Sequence, residues 1–67
     1  MHIERKTHPV HANELEYCIY EVLINGVSLK MFNGLNNDTA LVDANELIED
    51  QAALAKTRGE NPTITYN

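Results

Sequence analysis

The strongest structural signal in this chain is a β-hairpin whose turn is Asn25-Gly26. The two residues alone separate Leu15–Ile24 from Val27–Asn33, and both runs are rich in apolar side chains. A two-residue type I′ turn needs positive φ at both central positions, and Asn followed by Gly adopts it readily. We therefore predict an antiparallel hairpin over about residues 15–33, in which the turn fixes the facing pairs of side chains.

A regular two-residue hairpin places Glu21 opposite Lys30 and divides the other side chains between two faces. The face predicted to receive a helix is apolar and comprises Cys18, Tyr20, Val22, Ile24, Val27, Leu29 and Met31. The second face surrounds the charged pair with Tyr17, Ile19, Leu23 and Phe32. This second face is more apolar than a sheet surface in water needs to be. We expect it to be covered, either by the ends of the chain or by another protein.

The segments around the hairpin give weaker signals. Residues 2–7 alternate weakly and predict a short N-terminal edge strand, and Thr7–Asn13 is predicted to be a connector because Pro9 lacks a ladder donor. Residues 33–41 are rich in Asn and Gly and predict a loop. Thr63–Tyr66 has strand composition, so we expect a C-terminal strand or an extended tail.

One amphipathic helix is predicted over about residues 43–58. Asp43 is a suitable N-cap, Glu46 completes a capping-box pattern, and Gly59 is the expected residue just after the helix. The predicted buried stripe consists of Ala44, Leu47, Ile48, Gln51, Leu54 and Ala55. This stripe needs an apolar partner surface, which the hairpin supplies. The fold class is therefore predicted to be α+β, an antiparallel sheet built on the central hairpin with the helix packed on one face.

Length and composition limit the other possibilities. With 67 residues the chain forms one small domain, 1–67, and its single cysteine, Cys18, cannot form an internal disulfide. No apolar run approaches the length of a membrane-spanning helix, and the N-terminus lacks a secretory signal pattern. We expect a soluble cytoplasmic protein that does not insert into a membrane.

Acidic residues are concentrated between Asp38 and Asp50, where five acids occur without a Lys or Arg, and the net charge is −5. The run has two interpretations: a solvated helix face whose acids complement the helix dipole, or a stripe that docks on a basic partner. Direct binding to nucleic acid is disfavoured, because phosphates require a basic surface. The candidate partner-binding residues are Glu46, Glu49 and Asp50 on the helix, with Tyr17, Ile19, Leu23 and Phe32 on the second sheet face.

Metal binding and catalysis have little support in the sequence. His2, His8 and His11 lack the recurring spacing of a zinc site, although a His-rich metal-binding module is one alternative. There is no phosphate-binding glycine loop and no nucleophile with an adjacent base. We predict no cofactor, no metal site and no enzymatic activity.

These observations favour a protein-binding function. Phage and mobile-element inhibitors of host defence complexes, anti-CRISPR proteins among them, are often of this size and charge, although the residues themselves match no family pattern. A small, acidic chain without a cofactor suits an inhibitor or adaptor that occupies a basic surface of a partner complex, such as a surface that binds nucleic acid. The main alternative is a structural homo-oligomer, a homodimer for instance, that uses the second sheet face.

Overall fold

The computed structural model describes all 67 residues and confirms the α+β fold class. Its elements are β1 (His2–Ala12), β2 (Leu15–Ile24), β3 (Val27–Asn33), α1 (Ala40–Thr57) and β4 (Thr63–Tyr66). The strands form one sheet in the order β3-β2-β1-β4, in which β4 runs parallel to β1 and the other pairs are antiparallel. The sheet is therefore mixed and not wholly antiparallel as predicted, because α1 carries the chain across the sheet before β4. The helix covers one face of this sheet.

The Asn25-Gly26 turn is confirmed. Asn25 has φ 51° and Gly26 has φ 81°, the two positive values that a type I′ turn requires. The strands on either side have the predicted bounds, and next to the turn Ile24 pairs with Val27 and Leu23 with Ser28, as predicted.

Beyond these two pairs the predicted register is wrong, because β3 contains a bulge at Leu29. The register shifts between Leu23 and Val22, so Val22 pairs with Lys30, Glu21 with Met31 and Tyr20 with Phe32. A bulge places one extra residue on one strand, and every later side chain of that strand then changes face. Glu21 therefore does not face Lys30.

Four side chains of β3 consequently differ from their predicted places. Lys30, predicted on the second face, pairs with the core residue Val22 and lies on the helix-facing side. Phe32 lies on the helix-facing side and packs against the core, whereas Met31 moves to the opposite face. Leu29, predicted to be buried under the helix, is 48% exposed.

The first strand is longer than predicted and lies inside the sheet. Residues predicted as a connector continue β1 to Ala12, and a second two-residue turn, Asn13-Glu14, joins it to β2. Both turn residues have positive φ, 52° and 65°. This conformation is uncommon without glycine, which explains why the sequence did not predict the turn. Pro9 is compatible with this strand although it has no backbone N–H. Hydrogen-bonded and non-hydrogen-bonded pairs alternate along an antiparallel ladder, and at Pro9 the position of the missing N–H is on the side away from β2.

The helix begins three residues earlier than predicted. Thr39 occupies the N-cap position, so Asp43 lies in the first turn and is not the cap. Asn37 shapes the approach, since its Oδ1 accepts hydrogen bonds from the Thr39 backbone N–H at 3.0 Å and from the Thr39 hydroxyl at 2.6 Å. The hydroxyl also lies 3.2 Å from the Asp43 carboxylate. The capping box predicted at Asp43 is therefore wrong.

As predicted, the helix ends just before Gly59, which has φ 80°. The Gly59 N–H donates to the Lys56 carbonyl and the Glu60 N–H to the Ala55 carbonyl, both at 3.0 Å. This pair of hydrogen bonds is a Schellman motif, which satisfies carbonyls that the helix itself leaves free.

The core lies between α1 and the middle of the sheet. Its five buried members are Ile3, Val22, Ala44, Ile48 and Ala52, with Met1, Tyr20, Leu47 and Phe32 packed around them. Most of the buried helix residues are alanines, which let the helix axis approach the strands closely. Leu54, predicted to be buried, is 50% exposed. The buried side of the helix is therefore rotated away from Leu54 and is centred on Ile48.

One of the two expectations for the second sheet face was that the ends of the chain cover it. They do not. They extend the sheet instead: β1 pairs with β2 along its whole length, and Thr63–Tyr66 joins the outer side of His2–Arg5. The face opposite the helix is left without a covering element, and we call it the open face.

The far ends of β1 and β2 form a two-stranded arm. Pro9–Ala12 and Leu15–Cys18 have only each other as strand partners, because β4 ends its pairing at Arg5 and β3 ends its pairing at Ile19. Cys18, at the base of the arm, also accepts a hydrogen bond from the Gly34 N–H. The molecule is accordingly elongated, with extents of 47 × 20 × 15 Å.

Truncation of Ile48 tests the position of the core. Ile48 is fully buried, so Ile48→Ala removes apolar contacts and leaves a cavity, and we expect a loss of about 2–5 kcal/mol in the free energy of unfolding. Leu54→Ala is the matched control and should change it by less than about 0.5 kcal/mol. Urea unfolding followed by circular dichroism measures both. Equal losses would show that Leu54 also belongs to the core.

A second stability test concerns Gly34, whose N–H donates to the Cys18 carbonyl at 2.9 Å. A Cβ at this position would lie 2.7 Å from the same carbonyl oxygen, closer than real contacts allow. We expect Gly34→Ala to lower the unfolding free energy by about 1–3 kcal/mol, as overpacking does elsewhere. Asn36→Ala, in the same exposed loop, is the control. A Gly34→Ala variant as stable as this control would contradict the close approach.

Candidate protein-binding surfaces

Two surfaces carry the predicted partner-binding residues. The first consists of Glu46, Glu49 and Asp50 on the outer side of α1, which we call the acidic stripe. The second is the open face of the sheet, where Tyr17, Ile19 and Leu23 lie. Phe32 belongs to neither surface, because the bulge places it against the core. A Phe32→Ala variant would therefore test folding more than binding.

The carboxylates of the acidic stripe have no cationic partner. All three residues are exposed, and the ion pairs of the molecule lie elsewhere, at His8–Glu21, His11–Glu16 and Arg58–Glu60. No Lys or Arg stands three or four residues from any of them along the helix. Glu46 and Asp50 are four residues apart, and like charges at this spacing destabilise a helix by about 0.2–0.5 kcal/mol.

The observed helix start also weakens the interpretation that these acids serve the helix dipole. Stabilisation by the dipole is confined to the first turn, and Asp43 is the acid that lies there. Because the helix starts at Ala40, Glu46 falls in the second turn and Asp50 in the third. The stripe adds negative charge at a place where the helix gains nothing from it.

Apolar side chains accompany the stripe. Val42 is 54% exposed and Leu54 is 50% exposed, and both lie on the outward part of α1. A shallow groove along the last turns of the helix is lined by Asp50, Ala53, Leu54 and Thr57. Since all four residues come from one helix, the groove has no second wall, and it suits contact with another protein better than enclosure of a small molecule.

The open face has a charged centre. His8 Nε2 lies 2.9 Å from Glu21 Oε1, and Lys6 is the β1 residue directly opposite Glu21. The Ser28 hydroxyl, followed by the His8 ring, stabilises the carboxylate by hydrogen bonding and holds the pKa of Glu21 below its usual value. Groups of both signs thus lie next to each other on this face, in contrast to the acidic stripe.

Apolar side chains surround this centre, mainly towards the arm. Tyr17 and Ile19 are half-buried, whereas Leu23 is only 7% exposed and lies outside the main core cluster. The sequence analysis missed three further members of the face, which are Val10, Leu15 and Met31. Val10 was missed because residues 7–13 were predicted to be a connector, and Met31 because of the bulge. Leu15 lies in the predicted strand and has the same parity as Tyr17, so the pattern did contain a signal for it.

The edges of the sheet are poorly suited to pairing with another strand. Pro9 removes a donor from the free edge of β1, the bulge at Leu29 interrupts β3, and β4 has only four residues after Pro62. Each of these features is a common way of blocking edge-to-edge association. A partner is therefore expected to bind a face of the molecule.

The histidines do not converge. His2 Nε2 contacts the Thr65 hydroxyl at 2.9 Å, His8 contacts Glu21, and His11 Nδ1 lies 3.3 Å from Glu16. No group of three or more His, Cys, Asp or Glu side chains is arranged to hold a metal ion. Helix α1 lacks the hydrophobicity that crossing a lipid bilayer takes.

Comparison with models of protein families, with curated proteins and with solved structures finds no match.

The lowered pKa of Glu21 predicts a specific pH dependence of stability. A carboxylate whose pKa is lower in the folded state stabilises the fold above its unfolded value, near 4.5, and this contribution is lost as pH falls through the folded pKa. Wild type should exceed Glu21→Gln in melting temperature by more at pH 7 than at about pH 2. The melting temperature of Ser28→Ala should fall less between pH 7 and about pH 2 than that of wild type, because the Ser28 hydroxyl no longer lowers the pKa of Glu21. A constant difference between wild type and Glu21→Gln at all pH values would contradict the shift.

Proposed function

We propose that this protein is a small non-enzymatic protein-binding module, a stoichiometric inhibitor or adaptor that docks the acidic stripe on a basic surface of its partner. The observation that carries the proposal is the set of three exposed carboxylates without any cationic neighbour. Their mutual repulsion works against the helix, and their position gives no benefit from the dipole. A basic partner would supply the missing positive charge.

The chemistry of the stripe favours a partner surface made of Lys and Arg. Such clusters normally bind phosphates, so a surface that holds nucleic acid is the proposed target, and the bound module would compete with the nucleic acid. Direct binding of this chain to DNA or RNA is disfavoured by its charge of −5.

The exposed apolar groups beside the stripe complete the proposed interface. Electrostatic attraction chiefly accelerates the encounter and selects the partner, whereas desolvated apolar contacts slow dissociation. Val42 and Leu54 are placed to make such contacts. We further propose that an inhibitor of this kind is encoded by a phage or mobile element and acts on a defence complex in the cytoplasm.

The experiment is affinity capture from bacterial lysate, with captured proteins quantified by mass spectrometry at low and high salt. The test variant carries Glu46→Lys, Glu49→Lys and Asp50→Lys. The control carries Glu14→Lys, Glu16→Lys and Glu60→Lys, exposed acids outside the stripe, so that both variants have the same net charge.

We expect wild type and the control to capture a common set of basic proteins. At low salt the stripe variant should capture these proteins in amounts at least about tenfold lower than wild type does. High salt should lower the amounts that wild type captures, because screening weakens contacts between charges. Equal capture by all three proteins would show that the stripe is not the binding site. Equal loss by both variants would show that only net charge matters.

A further inference from the structure

No apolar side chain of the arm belongs to the core under α1 or packs against it. A two-stranded ribbon is marginally stable in water on its own. Its turn also holds Glu14 at positive φ, a conformation that costs about 1 kcal/mol or more for a residue of this type. On the open face the arm and its neighbours present Val10, Leu15, Tyr17, Ile19 and Met31. Burial of these side chains against another surface would stabilise the arm.

The charges of the open face indicate what kind of surface fits. Lys6 lies opposite Glu21, and Glu4 is the next β1 residue on the same face, so both signs occur side by side. A strongly basic partner would repel Lys6, and a strongly acidic partner would repel Glu4 and Glu21. A surface that complements itself across a two-fold axis needs both signs, and this face has them.

The acidic residues between Asp38 and Asp50 lie in the helix layer and in the loop before it, on the other side of the molecule. Two copies that meet through their open faces keep these charges on opposite outer surfaces, separated by both sheets. Because sheets stack about 10 Å apart, the two helices end up well beyond a Debye length from each other at physiological salt. The net charge therefore does not oppose this particular mode of association.

We infer that the open face binds a second copy of this chain, with the two sheets packed face to face and the two α1 helices outside. The apolar side chains towards the arm form the centre of the contact, and Lys6 of one copy approaches acidic groups of the other. The inference goes beyond the proposed function and does not depend on it. It also implies that one dimer presents two acidic stripes, which would allow bivalent binding to a partner with repeated basic sites.

Sedimentation equilibrium of the purified protein, from about 10 μM to about 1 mM, tests the inference over the range in which weak dimers form. Met31→Lys is the test variant, because Met31 lies beside Glu21 on the open face and is 55% exposed. Leu54→Lys is the matched control, since Leu54 is 50% exposed on the outer side of the helix. Circular dichroism confirms that each variant is folded.

We expect the average mass of wild type to rise from 7.6 kDa towards twice this value as concentration increases. Met31→Lys should raise the dimer dissociation constant at least about tenfold, because the added ammonium group must lose its hydration in the contact, and Leu54→Lys should leave it unchanged. Wild type that stays monomeric at the highest concentration overturns the inference. Association that is sensitive to Leu54→Lys and insensitive to Met31→Lys also overturns it.

Salt distinguishes this contact from docking of the acidic stripe. The dimer dissociation constant should change less than about threefold between 50 and 500 mM NaCl, since apolar burial dominates. A steep weakening with salt would mean that charge drives the self-association, which contradicts the proposed centre of the contact.

Discussion

The rest of this fold depends on the close packing of α1 against Ile3 and Val22. With so few buried residues, the domain has little apolar stabilisation in reserve. Alanines on the buried side of the helix bring its backbone near the sheet, and Ile48 fills the space between them. The helix in turn carries the chain from β3 across the sheet to β4, which then pairs beside β1. Loss of this one contact would therefore release both the helix and the last strand.

The sequence predicts those parts of the fold that depend on local backbone chemistry. Asn25-Gly26 and Gly59 are both confirmed, because each occupies a positive-φ position that few residues adopt easily. The bulge at Leu29 and the Asn13-Glu14 turn have no such marker. Leu29 stands in an unbroken apolar alternation, and Glu14 is an unusual residue at positive φ. A pattern based on residue type therefore treats Leu29 as a regular strand residue and passes over the Asn13-Glu14 turn.

The candidate surface on the helix could be predicted more accurately than the one on the sheet. Exposure of Glu46, Glu49 and Asp50 follows from the amphipathic helix and survives a three-residue error in its start. The membership of the open face is far more sensitive, because a single extra residue in β3 exchanges Phe32 for Met31. A helix pattern averages over several turns, whereas the period of a strand is two and tolerates no slip. Surface assignments on strands are thus less reliable than those on helices.

The blocked strand edges have a consequence for how this protein behaves at high concentration. Strand addition is open-ended, since each added chain offers a new edge, and it leads to fibrils. Pro9, the bulge at Leu29 and the short β4 close that route. Contact through a sheet face about a two-fold axis, in contrast, is complete once two copies have met. Crowding should therefore produce particles of finite size from this chain, and its solutions should not gel or bind amyloid dyes.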